Sequence, residues 1–550
     1  MTSQQFDEET DVIVVGSGSA ALSAALAASA GGARVLILEK SKLIGGTSAM
    51  SGAGTWIPAN HHMLAAGMQD SPEEALTYIR AVSPPGWQEK EDALWRALVE
   101  TAPRMLRFVE ERSPLRFELV HQPDLYCEAP GSRFNGRMLS TKMLSKWLVG
   151  RWAGRIRSST IPQFLTYREG YLGALMTKPM RTLARLGPAI VWRLVTRQVG
   201  MGAALIVGLL KGCLDQGCAL RTGAPVRRLL TDGDRPGEGR VIGVEAEIDG
   251  APRRIGARKG VVLATGGFEW DQAMLDRHFP GPVESLATPR TNAGDGQRMA
   301  EEVGAALERM DQANVYPVTA TVYEGQPHAR PMSDVHPPHC ILVNRHAKRF
   351  VSEGDPNLGI AVDARDPATG APLNPPCWKI FDSRYASSRP VAMLFARRAP
   401  DWLHRADSIE ALAASIGLDA AALRATVDRF NGFVRQGRDE DFRRGESVWE
   451  RFYSSDPARP EVNGALGTIE MPPYYATPFH RAILGTKGGP RTNARMQVLR
   501  ADGSIVAGLW CAGVAMANPI GTKAVGPGTT IGPTLTYGFI AGEAILRGNA

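Results

Sequence analysis

The 550-residue chain has no cysteine pair at CxxC spacing. Its six cysteines, Cys127, Cys213, Cys218, Cys340, Cys377 and Cys511, are scattered. That pattern fits neither a disulfide framework nor a zinc site, and it suits a reducing, cytoplasmic setting with no metal expected. No run of about eighteen uncharged apolar residues occurs. The best candidate, residues 186–210, is interrupted by Arg193, Arg197 and Gln198, so no spanning helix is expected. The opening MTSQQFDEET lacks both a basic and an apolar region, so no secretory signal is expected. Acid is scarce in one place: residues 133–200 carry thirteen Lys/Arg against Glu169 alone. No nucleic-acid motif accompanies these charges, so no nucleic-acid partner is expected. Two readings of this basic, aromatic, helical segment stay open. One is an amphipathic surface resting on anionic lipid, and the other is a solvated basic face.

What is present is clearest at residues 11–40. Residues 11–15 are apolar and β-branched, the pattern of a buried parallel strand. Gly16-Ser17-Gly18-Ser19-Ala20-Ala21 follows, then a small-residue helix to Ala30 and a second apolar run, 34–38, ending on Glu39. Gly16 permits the tight turn, Gly18 lets a pyrophosphate approach the helix N-terminus, and Ala21 permits close helix–strand packing. Glu39 stands where a carboxylate accepts from ribose hydroxyls. The unit is expected to bind a dinucleotide. A second loop, Gly45-Gly46-Thr47-Ser48-Ala49-Met50-Ser51-Gly52-Ala53-Gly54, offers backbone N–H groups to a flat polar ligand. An FAD fold needs such a loop, whereas a nicotinamide fold does not.

Further along, helices are expected within 72–112 and over 200–217, and strands at 218–222 and 226–231. A hairpin is expected at 241–248 and 251–257, with a separate strand at 260–265 running into Gly266-Gly267. Thr291-Asn292-Ala293-Gly294-Asp295-Gly296 opens a helix over 297–303 and suits phosphate or ribose contact. From about residue 311 to 466 proline becomes frequent and nucleotide-type glycine turns disappear, as expected of an inserted α+β substrate domain. Residues 1–310 and 467–550 then form one discontinuous, Rossmann-like α/β FAD-binding domain of the glutathione-reductase type. The ligand of such a chain sits between its domains.

The glycine loop after Glu39-Lys40, together with Ala264-Thr265-Gly266-Gly267-Phe268, Leu484-Gly485-Thr486-Lys487-Gly488-Gly489 and Gly526-Pro527-Gly528, resembles the fumarate reductase and succinate dehydrogenase flavoproteins. Within them the chain is most similar to 3-ketosteroid Δ1-dehydrogenases. The resemblance implies FAD held without a covalent bond, because the GGTSAMSG loop has no histidine. It implies cofactor contacts from Gly16, Gly18, Ser19, Ala20, Ala21, Glu39, Lys40, Gly45, Gly46, Thr47, Ser48, Ser51, Gly52, Ala53, Gly54, Val226, Ala264, Thr265, Gly266, Asn292, Gly294, Asp295, Gly513, Asn518, Gly528, Thr529, Thr530 and Ile531. The reaction it implies removes an α-proton beside a ketone while the neighbouring carbon gives hydride to flavin N5.

The family's catalytic tyrosines align with Ala524, Asn357 and Leu125, while its glycine donor persists as Gly528. Ala524 has no proton to give, and Asn357 is no base at neutral pH. Tyr126, one place from Leu125, and Lys523, beside Ala524, are the candidate replacements, with His336 and His339 as further neighbours of the site. The dicarboxylate-clamping arginine of the fumarate branch is absent, and Thr522-Lys523 stands there. The leading expectation is desaturation of a bulky, steroid-like ketone, or reduction of its enone, with an unidentified acceptor such as a quinone. The alternatives are redox chemistry on a smaller carboxylated substrate anchored by Lys523, and a catalytically silent flavin-binding protein.

Overall fold

In the computed structural model, residues 5–548 are described except 173–174, 176, 235–236, 280–282, 284, 317, 332–334, 399–401 and 455–462. Residues 1–4 of the polar opening segment therefore lie outside the described residues. The organising element is a mostly parallel sheet. Strand β1 (Glu8–Val15) pairs in parallel with β2 (Val35–Glu39), Val12 against Val35 and Val15 against Leu38, across the helix α1 (Ser19–Ala30). On the other side β1 pairs in parallel with Ala251–Leu263, which pairs with Ile505–Cys511. Ala219–Thr222 extends the sheet beyond β2, and Gln497–Leu499 forms an antiparallel edge. Strands from both ends of the chain thus build one discontinuous α/β layer. Val12, Ile13, Val14 and Ile37 are fully buried, as strands covered on both faces require.

One expectation changes. The strands read at 251–257 and 260–265 are a single strand, Ala251–Leu263. Its first half pairs with Val241–Ile248 as the expected hairpin, and its second half crosses the sheet core beside β1. The polar Arg258-Lys259 read as a break, but Arg258 reaches outward to Asp11 at 2.8 Å. The ladder continues past them through an irregularity between Thr10 and Val12 of β1.

Small residues let the helices close over this sheet. A Cβ at Gly538 of the C-terminal helix Ile531–Arg547 would stand 2.4 Å from the Ala20 carbonyl oxygen. The alanine-rich face of α1 therefore meets that helix almost backbone to backbone. On the far flank, Gln88–Arg112 buries Leu94, Trp95, Leu98, Ala102, Met105 and Val109, the i, i+3/i+4 stripe of an amphipathic helix. The Trp95 indole N–H donates to Pro519 O at 2.8 Å, fixing the approach to the C-terminal glycines.

A second, four-stranded antiparallel sheet takes Cys340–Val343, Cys377–Phe381, Tyr474–Phe479 and His404–Ala406. It carries its own apolar cluster around Ile341, Ile380, Leu412, Leu423 and Phe430. Behind that cluster runs a buried ionic network. Arg349 reaches Glu353 and Asp439 at 2.9 Å each, and Arg444 reaches Glu353 at 2.9 Å.

Candidate functional site

A cavity opens at the C-terminal ends of β1, β2 and Ala251–Leu263. Of the residues expected to hold a cofactor, Gly16, Gly18, Ser19, Ala20, Glu39, Lys40, Gly46, Thr47, Ser48, Val226, Ala264, Thr265, Gly266, Asn292, Asp295 and Gly513 line it. Gly16, at φ +113°, turns so tightly that a Cβ would lie 2.4 Å from the Ala264 carbonyl oxygen. Gly18 caps α1 with no side-chain hydrogen bond, which leaves the helix N-terminus facing the cavity.

Glu39 is held as an acceptor. Ser17 Oγ donates to one of its oxygens at 2.6 Å, and the Ser41 N–H donates to the other at 2.8 Å. Burial nonetheless raises its pKa above the usual carboxylate range, against those two hydrogen bonds and the nearby Arg157 and Lys40. Ser17 was not singled out in the sequence. It also accepts from the Gly45 N–H at 2.9 Å, tying the first glycine turn to the second. The signal was its place between Gly16 and Gly18. Arg157 was missed too. It is buried, lines the cavity and donates to Ser41 Oγ at 2.9 Å, although it belongs to the basic segment.

Other expected residues stand outside this cavity. Ala21 is fully buried against the core. Asn518 turns its carboxamide oxygen onto the Ile520 and Gly521 N–H groups at 2.9 and 3.2 Å. Gly294 adopts φ +73° and caps the helix Asp295–Glu302. Its first residue, Asp295, lines the cavity and pairs there with Lys40. Thr529 Oγ1 donates to Gly526 O at 2.7 Å, and Thr530 is the N-cap of Ile531–Arg547. Gly45, Ser51, Gly52, Ala53 and Gly54 run from the cavity toward Gly528 and Ile531. A Cβ at Gly528 would stand 2.6 Å from Gly54 C and Thr55 N. The two glycine runs, remote in sequence, are therefore in backbone contact.

Beside that junction the structure gathers aromatic groups that the sequence did not reveal. Tyr167 and Tyr171 stack with centroids 4.6 Å apart. A Cβ at Gly52 would meet Tyr171 at 3.0 Å and Tyr167 at 3.3 Å. Tyr167 OH donates to Gln122 Oε1 at 3.4 Å, and Gln122 in turn contacts Tyr453 OH. Burial pushes the Tyr167 phenol up to about 12. These contacts join positions up to 331 residues apart, beyond any local pattern.

The expected catalytic replacements also come together. Asn357 Nδ2 donates to Tyr126 OH at 2.7 Å and to Ala524 O at 3.2 Å, while Asn357 Oδ1 accepts from the Ala524 N–H at 2.9 Å. Lys523 Nζ lies 4.9 Å from the Tyr126 ring centroid. Burial pushes the Tyr126 phenol up to about 12, with the negative charge of Asp355 acting in the same direction. Burial lowers the Lys523 pKa, and Asp355 partly restores it. His339 is committed elsewhere, its Nδ1 bonding Thr468 O at 2.8 Å. His336 is half-buried beside Tyr453, with centroids 5.6 Å apart, and desolvation pushes it down to about 4.

The cavity suits FAD. It offers a helix start whose N-cap is a bare glycine for a pyrophosphate, an anchored carboxylate for a ribose, and at Thr265 a buried hydroxyl without a partner among the described residues. The model of the family described as FAD binding domain matches residues 11–531. The chain belongs to that family. It is 36% identical over 572 residues to a 3-oxosteroid 1-dehydrogenase of Mycobacterium tuberculosis, covering 98% of each chain. It is 35% identical over 544 residues to a 4-oxocyclohexanecarboxylate 2-dehydrogenase of Sinomonas cyclohexanicum, covering 97% of this chain and 92% of that one. Its fold is similar to the crystal structure of 3-ketosteroid Δ1-dehydrogenase from Sterolibacterium denitrificans in complex with 1,4-androstadiene-3,17-dione. The TM-score is 0.89 at 32% identity, over 98% of this chain and all of that one. The protein is an FAD-dependent oxidoreductase of the CH–CH group.

Proposed function

We propose that this enzyme removes two hydrogens from adjacent carbons beside the ketone of a bulky, apolar, steroid-like ring system. The observation that carries the reading is the backbone contact of Gly54 with Gly528 beside the stacked Tyr167 and Tyr171. It gives a flat apolar substrate an aromatic wall next to the second glycine loop. The name of the mycobacterial relative and the ligand of the Sterolibacterium structure support the same substrate class.

Gly16, Gly18, Glu39, Thr265 and Asn292 would hold the cofactor, and bound FAD supplies the two-electron acceptor. The chain's own contribution is to polarise the ketone as enolate charge develops. Gly528 N–H takes that role in the aligned glycine position. Tyr126, raised to about 12, keeps its proton at neutral pH. Its oxygen already accepts from Asn357, which leaves its O–H to donate to a carbonyl oxygen where Ala524 has nothing to offer. Anaerobic mixing with 3-ketosteroids and their enones tests the reading. A saturated ketone should bleach the oxidised flavin, or an enone should reoxidise the reduced flavin, and silence in both directions overturns it.

The Sinomonas relative favours a second reading, a smaller carboxylated ring ketone anchored by the Lys523 ammonium. Lys523→Ala should then weaken binding of ring-ketone acids at least tenfold more than that of neutral ketones. Equal effects on the two would remove this reading.

The helix Pro179–Val195 supports a substrate drawn from lipid. Met180, Val191, Trp192, Leu194 and Val195 are each 60% or more exposed. Lys178, Arg181, Arg185 and Arg197 are exposed around them, and Tyr171 lies just upstream in the same segment. In this reading the helix rests on an anionic membrane surface. Not all of the segment's basic charge is available for that contact. Arg137 is buried with Asp70 and Asp124 at 2.6 and 2.9 Å, and Arg193 pairs with Glu169 at 2.7 Å.

A further inference from the structure

His61 and His62, in the short helix His61–Ala65, both turn their Nε2 atoms to one carboxylate at the end of the long helix Gln88–Arg112. His61 Nε2 lies 2.8 Å from Glu110 Oε2, and His62 Nε2 lies 3.1 Å from Glu110 Oε1. All three ligand atoms fall within 4.8 Å of one another. We propose that His61, His62 and Glu110 form a binding site for a borderline-soft divalent cation, with Zn²⁺ as the type ion, apart from the FAD cavity.

The donor set fits this class. Two neutral imidazoles and one carboxylate make a three-ligand zinc set whose fourth position is filled by water. Ligand atoms about 2.0–2.1 Å from a tetrahedral ion stand roughly 3.3 Å apart, so the two His–Glu contacts need open only slightly. Both histidines keep about a quarter of their side-chain surface exposed, which leaves a path for the ion and its water. Glu110 is pre-set by its own backbone contact, because its Oε1 accepts the Phe117 N–H at 2.8 Å. The nearby Arg116 guanidinium is spent on the carbonyls of Ser113 and Leu115 at 2.9 and 2.7 Å, and does not compete for the carboxylate.

The His61 Nδ1 is buried and has no partner among the described residues. Metal-bound imidazoles ordinarily donate that N–H to an acceptor, and losing such a partner costs about 10–100-fold in affinity. The site is therefore a moderate one. Its physical effect is to cross-link the short helix after Trp56 to the helix end that supports Phe117.

The experiment uses untagged, FAD-loaded protein, stripped with chelator and dialysed, and titrates Zn²⁺ by calorimetry. One equivalent per chain is expected, with no uptake of Mg²⁺ under the same conditions. His61→Ala and His62→Ala should each weaken Zn²⁺ binding tenfold or more. Glu110→Gln, which keeps an acceptor for Phe117 N–H, should do the same without loss of flavin. Co²⁺ in place of Zn²⁺ should give a visible ligand-field spectrum that disappears in the same variants. Absence of Zn²⁺ uptake overturns the proposal, as does uptake unchanged in the His61→Ala/His62→Ala double variant.

Discussion

The carboxamide of Asn357 is clamped onto the peptide of Ala524, accepting from its N–H at 2.9 Å and donating to its carbonyl at 3.2 Å. The pair thereby shapes the loop, and Asn357 also donates to the Tyr126 hydroxyl at 2.7 Å. Asn357→Ala leaves both polar groups of the Ala524 peptide and the Tyr126 hydroxyl without this partner. Each hydrogen bond contributes about 0.5–1.5 kcal/mol. Urea unfolding should show a loss of about 1–3 kcal/mol, and kcat should fall while the flavin content stays at wild-type level.

Tyr126→Phe separates the donor from the clamp. The ring still packs under Lys523, but the hydroxyl is gone. Removing one donor to a developing oxyanion costs about 10²–10³ in kcat. The expected result is a loss of that size with KM for the ketone changed only a few-fold. Full kcat in this variant would return the role to another group.

Glu39 ties cofactor affinity to pH. Its folded pKa is raised by burial, so it takes up a proton at a higher pH than an ordinary carboxylate. Below that pH one of its oxygens becomes a donor and ceases to accept from a ribose hydroxyl. The dissociation constant of FAD should therefore rise as pH falls through that raised value, read by flavin fluorescence. Glu39→Gln should start about tenfold weaker, in line with a hydrogen bond to a charged group, and show no such rise. Parallel pH profiles in the two proteins would show that Glu39 is not the titrating group.

How much of this was legible depends on distance along the chain. The β1–α1–β2 unit could be read because β1 and β2 pair with each other within about thirty residues and their paired stretches, 12–15 and 35–38, are apolar. Ala251–Leu263 was split because Arg258 and Lys259 look like a turn, while the β1 partner that carries the strand past them lies some 250 residues earlier. Ser17 was readable in principle, since a hydroxyl between two turn glycines is well placed to meet Glu39. Tyr167, Tyr171 and Tyr453 were not. Each is an ordinary tyrosine in its own neighbourhood, and only the tertiary fold brings them to Gly52 and Gln122. Arg157 was hidden by its company, because a run of bases reads as a surface even where one member turns inward.

The network of Arg349, Glu353, Asp439 and Arg444 is buried, with side-chain exposures of 0–3%. Removing one partner of a buried ion pair costs about 3–5 kcal/mol, because the other charge is left uncompensated. Glu353→Ala should lower stability by that amount in chemical unfolding. The folded pKa values of Glu353 and Asp439 are depressed; burial opposes this as the largest single influence, and the flanking arginines outweigh it. Their contribution is therefore complete above the ordinary carboxylate range and lost as pH falls through their lowered values. Thermal unfolding of the wild type should become steeply acid-sensitive only below the ordinary carboxylate range. Glu353→Ala should flatten that dependence.

The exposed face of Pro179–Val195 gives the last prediction. Trp192 and Val195, 63% and 71% exposed, present a large apolar surface to solvent beside Arg181 and Arg185. If that face rests on lipid, wild-type protein should sediment with phosphatidylglycerol-containing vesicles and much less with neutral ones. Each basic residue near an anionic surface is worth about 1 kcal/mol, so Arg181→Glu/Arg185→Glu should cut partitioning at least tenfold and added salt should weaken the wild type. Trp192→Ser/Val195→Ser should also reduce binding, but without changing its salt dependence, because it removes apolar area and leaves the charge. Neither double variant should alter turnover of a soluble ring ketone, since none of the four side chains belongs to the site around Gly528. Equal sedimentation of all three proteins would leave the helix as a solvated basic face.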